Sequence, residues 1–338
     1  MTDTNAEFEF RRGGHHSTAR SRKRPGRKLL LVGVTLLVVA IAVAVVVARK
    51  ASGTSVHHIG TVRYLGIFEP DAPGSYSGLN QVAQSIGRQP NLASYYSHWL
   101  TPFQVEFATS AERNGATTLV QISPGSYPLT KIAEGKYDNY LRSFAAAVKA
   151  FGGRVILSFG HEMNGTWYPW GYRHASPAAF VAAWRHIVTV FRETGARNVT
   201  WLWTVNITAL RVPAPGPWWP GSSYVNWVGI DGYFWYKAAS FATVFAPTIV
   251  DVRQLTHDPI LIAETGAEPA VGQAAKIDEL FAGVQTYGLL GFVWFNDDTV
   301  SAAIAGEALN WRLGPAALAA LREDANEYLK SSPSPRPS

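Results

Sequence analysis

From Arg63 to Leu329 the chain alternates between short runs rich in β-branched and aromatic residues and longer runs with helical periodicity, and that alternation constrains the fold most. The β-type runs cover 63–69, 91–99, 117–123, 154–162, 198–206, 225–233, 259–264 and 289–296. Helical patterns follow at 78–88, 103–114, 137–151, 177–194, 241–256, 274–287 and 315–329. Several helix ends are legible: Ser176-Pro177 supplies an N-cap with proline in the first turn, and Gly152-Gly153 and Gly195 stand where left-handed C-caps belong. Strands separated by helical crossovers pair in parallel. Eight such units predict an α/β chain folded as a (β/α)8 TIM barrel, with its functional residues at the C-terminal ends of the strands. Only the fifth crossover lacks a helical pattern, since 213–223 is a loop rich in Pro, Gly and Trp.

The first fifty residues hold ten Lys or Arg against three acidic side chains, so a total formal charge of +6 leaves the remaining chain near neutrality. A neutral main domain offers no footprint for phosphate backbones, and no nucleic-acid partner is expected. Without cysteine, disulfides and thiolate metal sites are excluded. Residues 29–48 are twenty uncharged, mostly apolar residues, and at about 1.5 Å per residue a helix of that length crosses a hydrocarbon core of roughly 30 Å. Eight basic residues precede this run and two follow it, which places the N-terminus in the cytoplasm and the main domain outside the cell membrane. A cleaved signal peptide is the rival reading, although such apolar runs are usually shorter. The expected organisation is a basic, disordered cytoplasmic tail at 1–28, a transmembrane signal anchor at 29–48, a linker at 49–60, one large domain at 61–330 and a solvated tail at 331–338.

Two of the β-type runs end in a glutamate. The fourth leads into Gly160-His161-Glu162-Met163-Asn164-Gly165-Thr166-Trp167-Tyr168-Pro169-Trp170-Gly171, and the seventh is Ile260-Leu261-Ile262-Ala263-Glu264. An apolar strand has no packing use for a carboxylate, because burying an unpaired charge is costly. In a barrel both carboxylates reach one pocket, and aromatic rings beside them suit the faces of sugars. Cleavage of a glycosidic bond needs such a pair: an acid for the leaving oxygen, and a carboxylate to attack or to activate water.

The strand-4 block, with Ile262-Ala263-Glu264-Thr265-Gly266 at strand 7, Asp231-Gly232-Tyr233 at strand 6 and Val293-Trp294-Phe295-Asn296 at strand 8, resembles glycoside hydrolase family 26, best known for endo-β-1,4-mannanases. The resemblance implies Glu162 as general acid/base, Glu264 as nucleophile and retention of configuration. It also implies a supporting role for His161, a hydrogen bond from Tyr233 to the nucleophile, a sugar platform at Trp294, and Trp167 on the leaving-group side. The expected substrate is a β-linked polysaccharide, first β-1,4-mannan. Mixed-linkage β-glucan, β-1,3-xylan and an exported exopolysaccharide are the other candidates, and a barrel that binds such polymers without turnover is the rival from another class.

The remaining candidates stay open between two roles. Asn164 either binds a sugar hydroxyl or caps the turn with Gly165. Trp170, Trp218 and Trp219 are either stacking platforms or anchors of their loops. Glu69, His98, Trp99, Asp231, Asp297 and Asp298 fall at strand ends, within reach of flanking sugars, and Glu268 lies beyond its strand, where a solvated carboxylate is ordinary. His161-Glu162 lacks the second histidine of a zinc-binding helix, and no metal or cofactor is expected.

Overall fold

The computed structural model describes residues 63–298 and 309–330, with the backbone alone at 329 and 330. Eight parallel strands follow one another around a closed barrel: β1 (Tyr64–Phe68), β2 (Leu92–His98), β3 (Thr117–Ser123), β4 (Val155–Phe159), β5 (Val199–Asn206), β6 (Trp227–Asp231), β7 (Ile260–Thr265) and β8 (Gly291–Phe295), the last pairing with β1. Around it run α1 (Ser77–Ile86), α2 (Val105–Arg113), α3 (Leu129–Ala133), α4 (Asp138–Phe151), α5 (Pro177–Thr194), α6 (Phe241–Arg253), α7 (Gln273–Tyr287) and α8 (Pro315–Lys330). α3 has no counterpart in the sequence reading, because five residues are too few to display a period of 3.6. The fifth crossover carries two 3-10 turns, Gly216–Trp218 and Ser222–Tyr224, in place of an α-helix.

The caps work as their residues dictate. Ser176 Oγ accepts the N–H of Ala179 at 3.2 Å, and Gly195 closes α5 at φ 83°. At the start of α6 the side chains of Ser240 and Thr243 exchange hydrogen bonds with each other's backbone, a reciprocal cap.

Side-chain alternation sorts the strands into two cores. Outward residues such as Tyr95, Val120, Leu157, Trp203 and Trp294 meet the helices, and inward ones such as Leu92, Leu119, Ile156, Leu202 and Val293 fill the barrel. Each large side chain so buried contributes roughly 1.5–3 kcal/mol. β7 departs from regular alternation. Its register against β6 slips between Ile230 and Asp231, and against β8 it advances from Ile262 to Thr265 while β8 advances only from Phe292 to Trp294. The extra residue lets Glu264 project into the barrel mouth just above the inward Ala263.

Among the described residues no helix is long and apolar enough to cross a membrane; the expected span at 29–48 lies outside them, as do the tails at 1–28 and 331–338 and the linker at 49–60.

Candidate active site

At the C-terminal mouth of the barrel lies a cleft of about 590 Å³ whose floor holds Glu162, Glu264, Tyr96, Asn206 and Tyr233. Trp167 and Tyr168 form part of its rim, with Trp235, Phe295 and Trp311 elsewhere on the wall. Among the described residues no Lys or Arg lines it.

Glu162 is not on β4, as the sequence suggested, but three residues past its end. It sits in the left-handed region at φ 55°, strained for a residue with a Cβ and held there by its own N–H to Thr204 O at 3.0 Å. The glycines after it explain the block's spelling. A Cβ on Gly165 would strike the Trp167 ring at 2.3 Å, and one on Gly171 would strike Gly165 O at 2.4 Å. The loop therefore folds tightly enough for the Trp167 indole N–H to reach Glu162 Oε2 at 2.5 Å, while Asn206 Nδ2 donates to Oε1 at 2.5 Å. Burial, and next the charge of Glu264, push the Glu162 carboxyl up to about 8 against the pull of these two donors.

Glu264 meets different partners. The Tyr96 hydroxyl donates to Oε2 and the Tyr233 hydroxyl to Oε1. Burial raises this carboxyl too, and the two phenols lower it. Asp231, fully buried beneath the cleft, has no hydrogen-bond donor on either oxygen among the described residues, and burial followed by the charges of Glu264 and Glu162 holds it far above the usual carboxylate range.

Four expected residues thus line the cleft: Glu162, Glu264, Trp167 and Tyr233. The others stand elsewhere. Trp294 is a correction: it is fully buried on the outward, helix-facing side of β8, where its indole N–H binds Trp311 O at 2.8 Å. Phe295, one residue on, faces the cleft instead, with Trp311 beside it. Asn164 is also corrected, from sugar ligand to loop clamp. It donates to the carbonyls of Asn206 and Pro213 and accepts the Asn206 N–H, so one side chain ties the end of β5 to the loop that follows it.

His161 lies behind the rim, packed against Tyr96, Tyr168 and Trp170, and burial lowers its imidazole to about 3, so it is neutral. Trp170 stacks on Tyr168 at 4.3 Å and hydrogen-bonds His161 O, backing the wall without lining it. Trp99 packs on Tyr137, Tyr140 and Phe159 outside the barrel, and His98 is exposed outside the cleft lining. Glu69 is buried against Asn296 Nδ2 at 2.5 Å, and burial lifts it to about 7. Trp218 and Trp219 anchor their loop on Tyr172 and Trp203. Asp297 accepts the Trp311 N–H through its backbone, Asp298 pairs with Arg312 at 3.0 Å, and Glu268 receives a long contact of 3.4 Å from the Asn310 N–H.

The sequence reading missed Tyr96, Asn206, Tyr168, Phe295, Trp235 and Trp311. Asn206 had a signal, as a polar residue closing the apolar β5 run; Tyr96 had one in its inward parity with Leu92.

The model of glycosyl hydrolase family 26 matches residues 77–279, more than half of the 338-residue chain. The chain belongs to this family. This family 26 member is 31% identical to endoglucanase H of Acetivibrio thermocellus over 268 residues, which are 74% of this chain and 29% of that protein. It is 23% identical to a mannan endo-1,4-β-mannosidase of Bifidobacterium adolescentis over 230 residues, 59% of this chain and 21% of that protein. The chain therefore spans under a third of either relative. Among solved structures, the catalytic domain of an endo-β-1,4-mannanase from Bacillus sp. JAMB-750 superposes with a TM-score of 0.59 at 14% identity, covering 80% of this chain and 88% of that one, a likeness of fold.

Proposed function

We propose that this family 26 glycoside hydrolase is a retaining endo-β-glycanase that cleaves β-1,4-mannan by double displacement. One observation carries the reading: two carboxylates in one cleft have unlike donors, so burial and mutual charge keep Glu162 protonated while two phenols favour ionised Glu264. Glu264 attacks the anomeric carbon as the glycosidic oxygen leaves with the Glu162 proton. Esterified, Glu264 carries no charge, so the Glu162 carboxyl acidifies and takes a proton from the water that releases the sugar. Trp167 and Trp235, 40% and 46% exposed at the cleft, are surfaces on which a chain running past the cleavage point stacks.

Mannan is favoured by the mannosidase relative, and a β-glucan is the second reading, favoured by endoglucanase H because that likeness covers more of the chain. The test is hydrolysis of β-mannan, mixed-linkage β-glucan and β-1,3-xylan by the wild type and by Glu162→Gln and Glu264→Gln, with NMR of the first-formed anomer. Turnover of mannan with retention, lost in both variants, is expected. Inversion would remove the nucleophile role, and binding without turnover would make the barrel a polysaccharide-binding module.

The uncharged run at 29–48 motivates a further part of the reading, that the enzyme is held on the outer face of the cell membrane. Release of the full chain from membranes by alkaline carbonate would end it.

A further inference from the structure

Directly under the cleft the barrel interior changes character. Lower down it is filled by Leu119, Ile156 and Leu202, as barrel interiors are; one layer higher stand Gln121 on β3, Ser158 on β4 and Thr204 on β5, all fully buried. Gln121 is level with Tyr96 and with Ser158 in the strand register, and Ser158 Oγ lies 2.9 Å from Thr204 Oγ1. Ser158 and Thr204 satisfy each other. Gln121 does not come out even: its Nε2 donates to Tyr96 Oη at 3.2 Å, and its Oε1 has no partner among the described residues.

The orientation of that amide follows from the count of protons. Tyr96 has one, and it is on Glu264 Oε2. Its oxygen can therefore only accept from Gln121, which requires the amide nitrogen, not the oxygen, to face it. A leucine or methionine would fill the position without leaving an unmet carbonyl in the core, so packing does not account for an amide here.

We propose that Gln121, which does not itself line the cleft, is a positioning residue for the nucleophile: by donating to Tyr96 Oη it fixes the phenol proton on Glu264 Oε2. The proposal rests on the reading of Glu264 as nucleophile. The chain of donors runs from amide N–H through phenol O–H to carboxylate, and each link polarises the next, so the last bond is stronger than a lone tyrosine would make it. The groups facing Glu264 are Tyr96 from β2, Asp231 at the end of β6, Tyr233 just beyond it, and Glu162 and Tyr168 from the loop after β4; of these Gln121 hydrogen-bonds Tyr96.

The test uses the full chain and the pH dependence of kcat/KM on whichever panel polymer the wild type cleaves, with NMR titration of the Glu264 carboxyl carbon following the same ionisation without turnover. Gln121→Met keeps the volume and removes the donor. The acid limb should move up by about one pH unit, so that kcat/KM below it falls about ten-fold, while the alkaline limb stays. In a Tyr96→Phe background the same substitution should change nothing further, since its effect passes through that hydroxyl. Gln121→Leu, the alternative if methionine impairs folding, lacks the donor as well and should move the limb the same way. An unmoved acid limb and carboxyl titration in a folded Gln121 variant, or a shift that persists without the Tyr96 hydroxyl, overturns the proposal. Activity retained in Glu264→Gln would instead overturn the nucleophile assignment beneath it.

Discussion

The loop after β4 and the strand β7 each deliver one glutamate to the same cleft, by opposite devices. Glu162 rides on a strained turn and is held by an indole and an amide, groups whose protons never leave. Glu264 rides on a strand with one residue too many and is held by two hydroxyls, one of them oriented from below. Burial raises both carboxyls, and the donors decide how far. The difference teaches that identical side chains in one cleft are set apart by what donates to them, which on the proposed reading makes one the acid and the other the nucleophile.

The largest effect that probes this contrast is Glu264→Gln, which should lower kcat by about four orders of magnitude or more, measured on the polymer the wild type cleaves. Tyr96→Phe and Tyr233→Phe each remove one donor to a charged oxygen; each should cost about ten-fold to a hundred-fold in kcat/KM below the acid limb, and the limb should move up. Asn206→Ala acts on the other glutamate. Losing a donor to ionised Glu162 raises its carboxyl further, so the alkaline limb should shift above its starting point near 8 and the acid limb should stay. If Asn206 and Tyr96 variants move the same limb, the contrast is broken.

The smallest effect is on stability. The Glu162 carboxyl stands at about 8 in the fold against an ordinary 4.5, so its favourable share is complete below 4.5 and disappears as pH rises through 8. Glu264 and Asp231 are shifted in the same direction. Melting curves should show the wild type losing Tm between those limits, and Glu162→Gln, neutral throughout, melting a few degrees higher than wild type at pH 8.

The strand run and the two glutamates were legible because a carboxylate closing an apolar segment has no structural excuse. The choice of Trp294 over Phe295 was not. β8 is covered on both faces, so Gly291–Phe295 shows no polar alternation from which to read which side chain faces the mouth. The bulge in β7 was invisible for the same reason, since the apolar run Ile260–Ala263 that precedes Glu264 shows no alternation whose phase an inserted residue could break. Asn164, in the loop after β4, and Asn206, closing β5, carry the same amide, and only the tertiary meeting of two loops turned one into a clamp and the other into a donor to Glu162. Trp311 comes to the cleft from a segment beyond β8 that carries no strand or helix pattern of its own.

Among the described residues no Lys or Arg lines the cleft, and that bears on which polymers can enter it. On the proposed reading Glu264 is the ionised carboxylate at its base, and with no such cation on the described walls the cleft disfavours a polyanion. A uronic-acid polymer or another polyanion entering the cleft meets that carboxylate and aromatic faces, with no Lys or Arg among the described lining residues to pair with it. A neutral hexose polymer is not repelled, so in a mixture with polyanions the cleft would stay available to it, and added salt would weaken that discrimination before it touched catalysis.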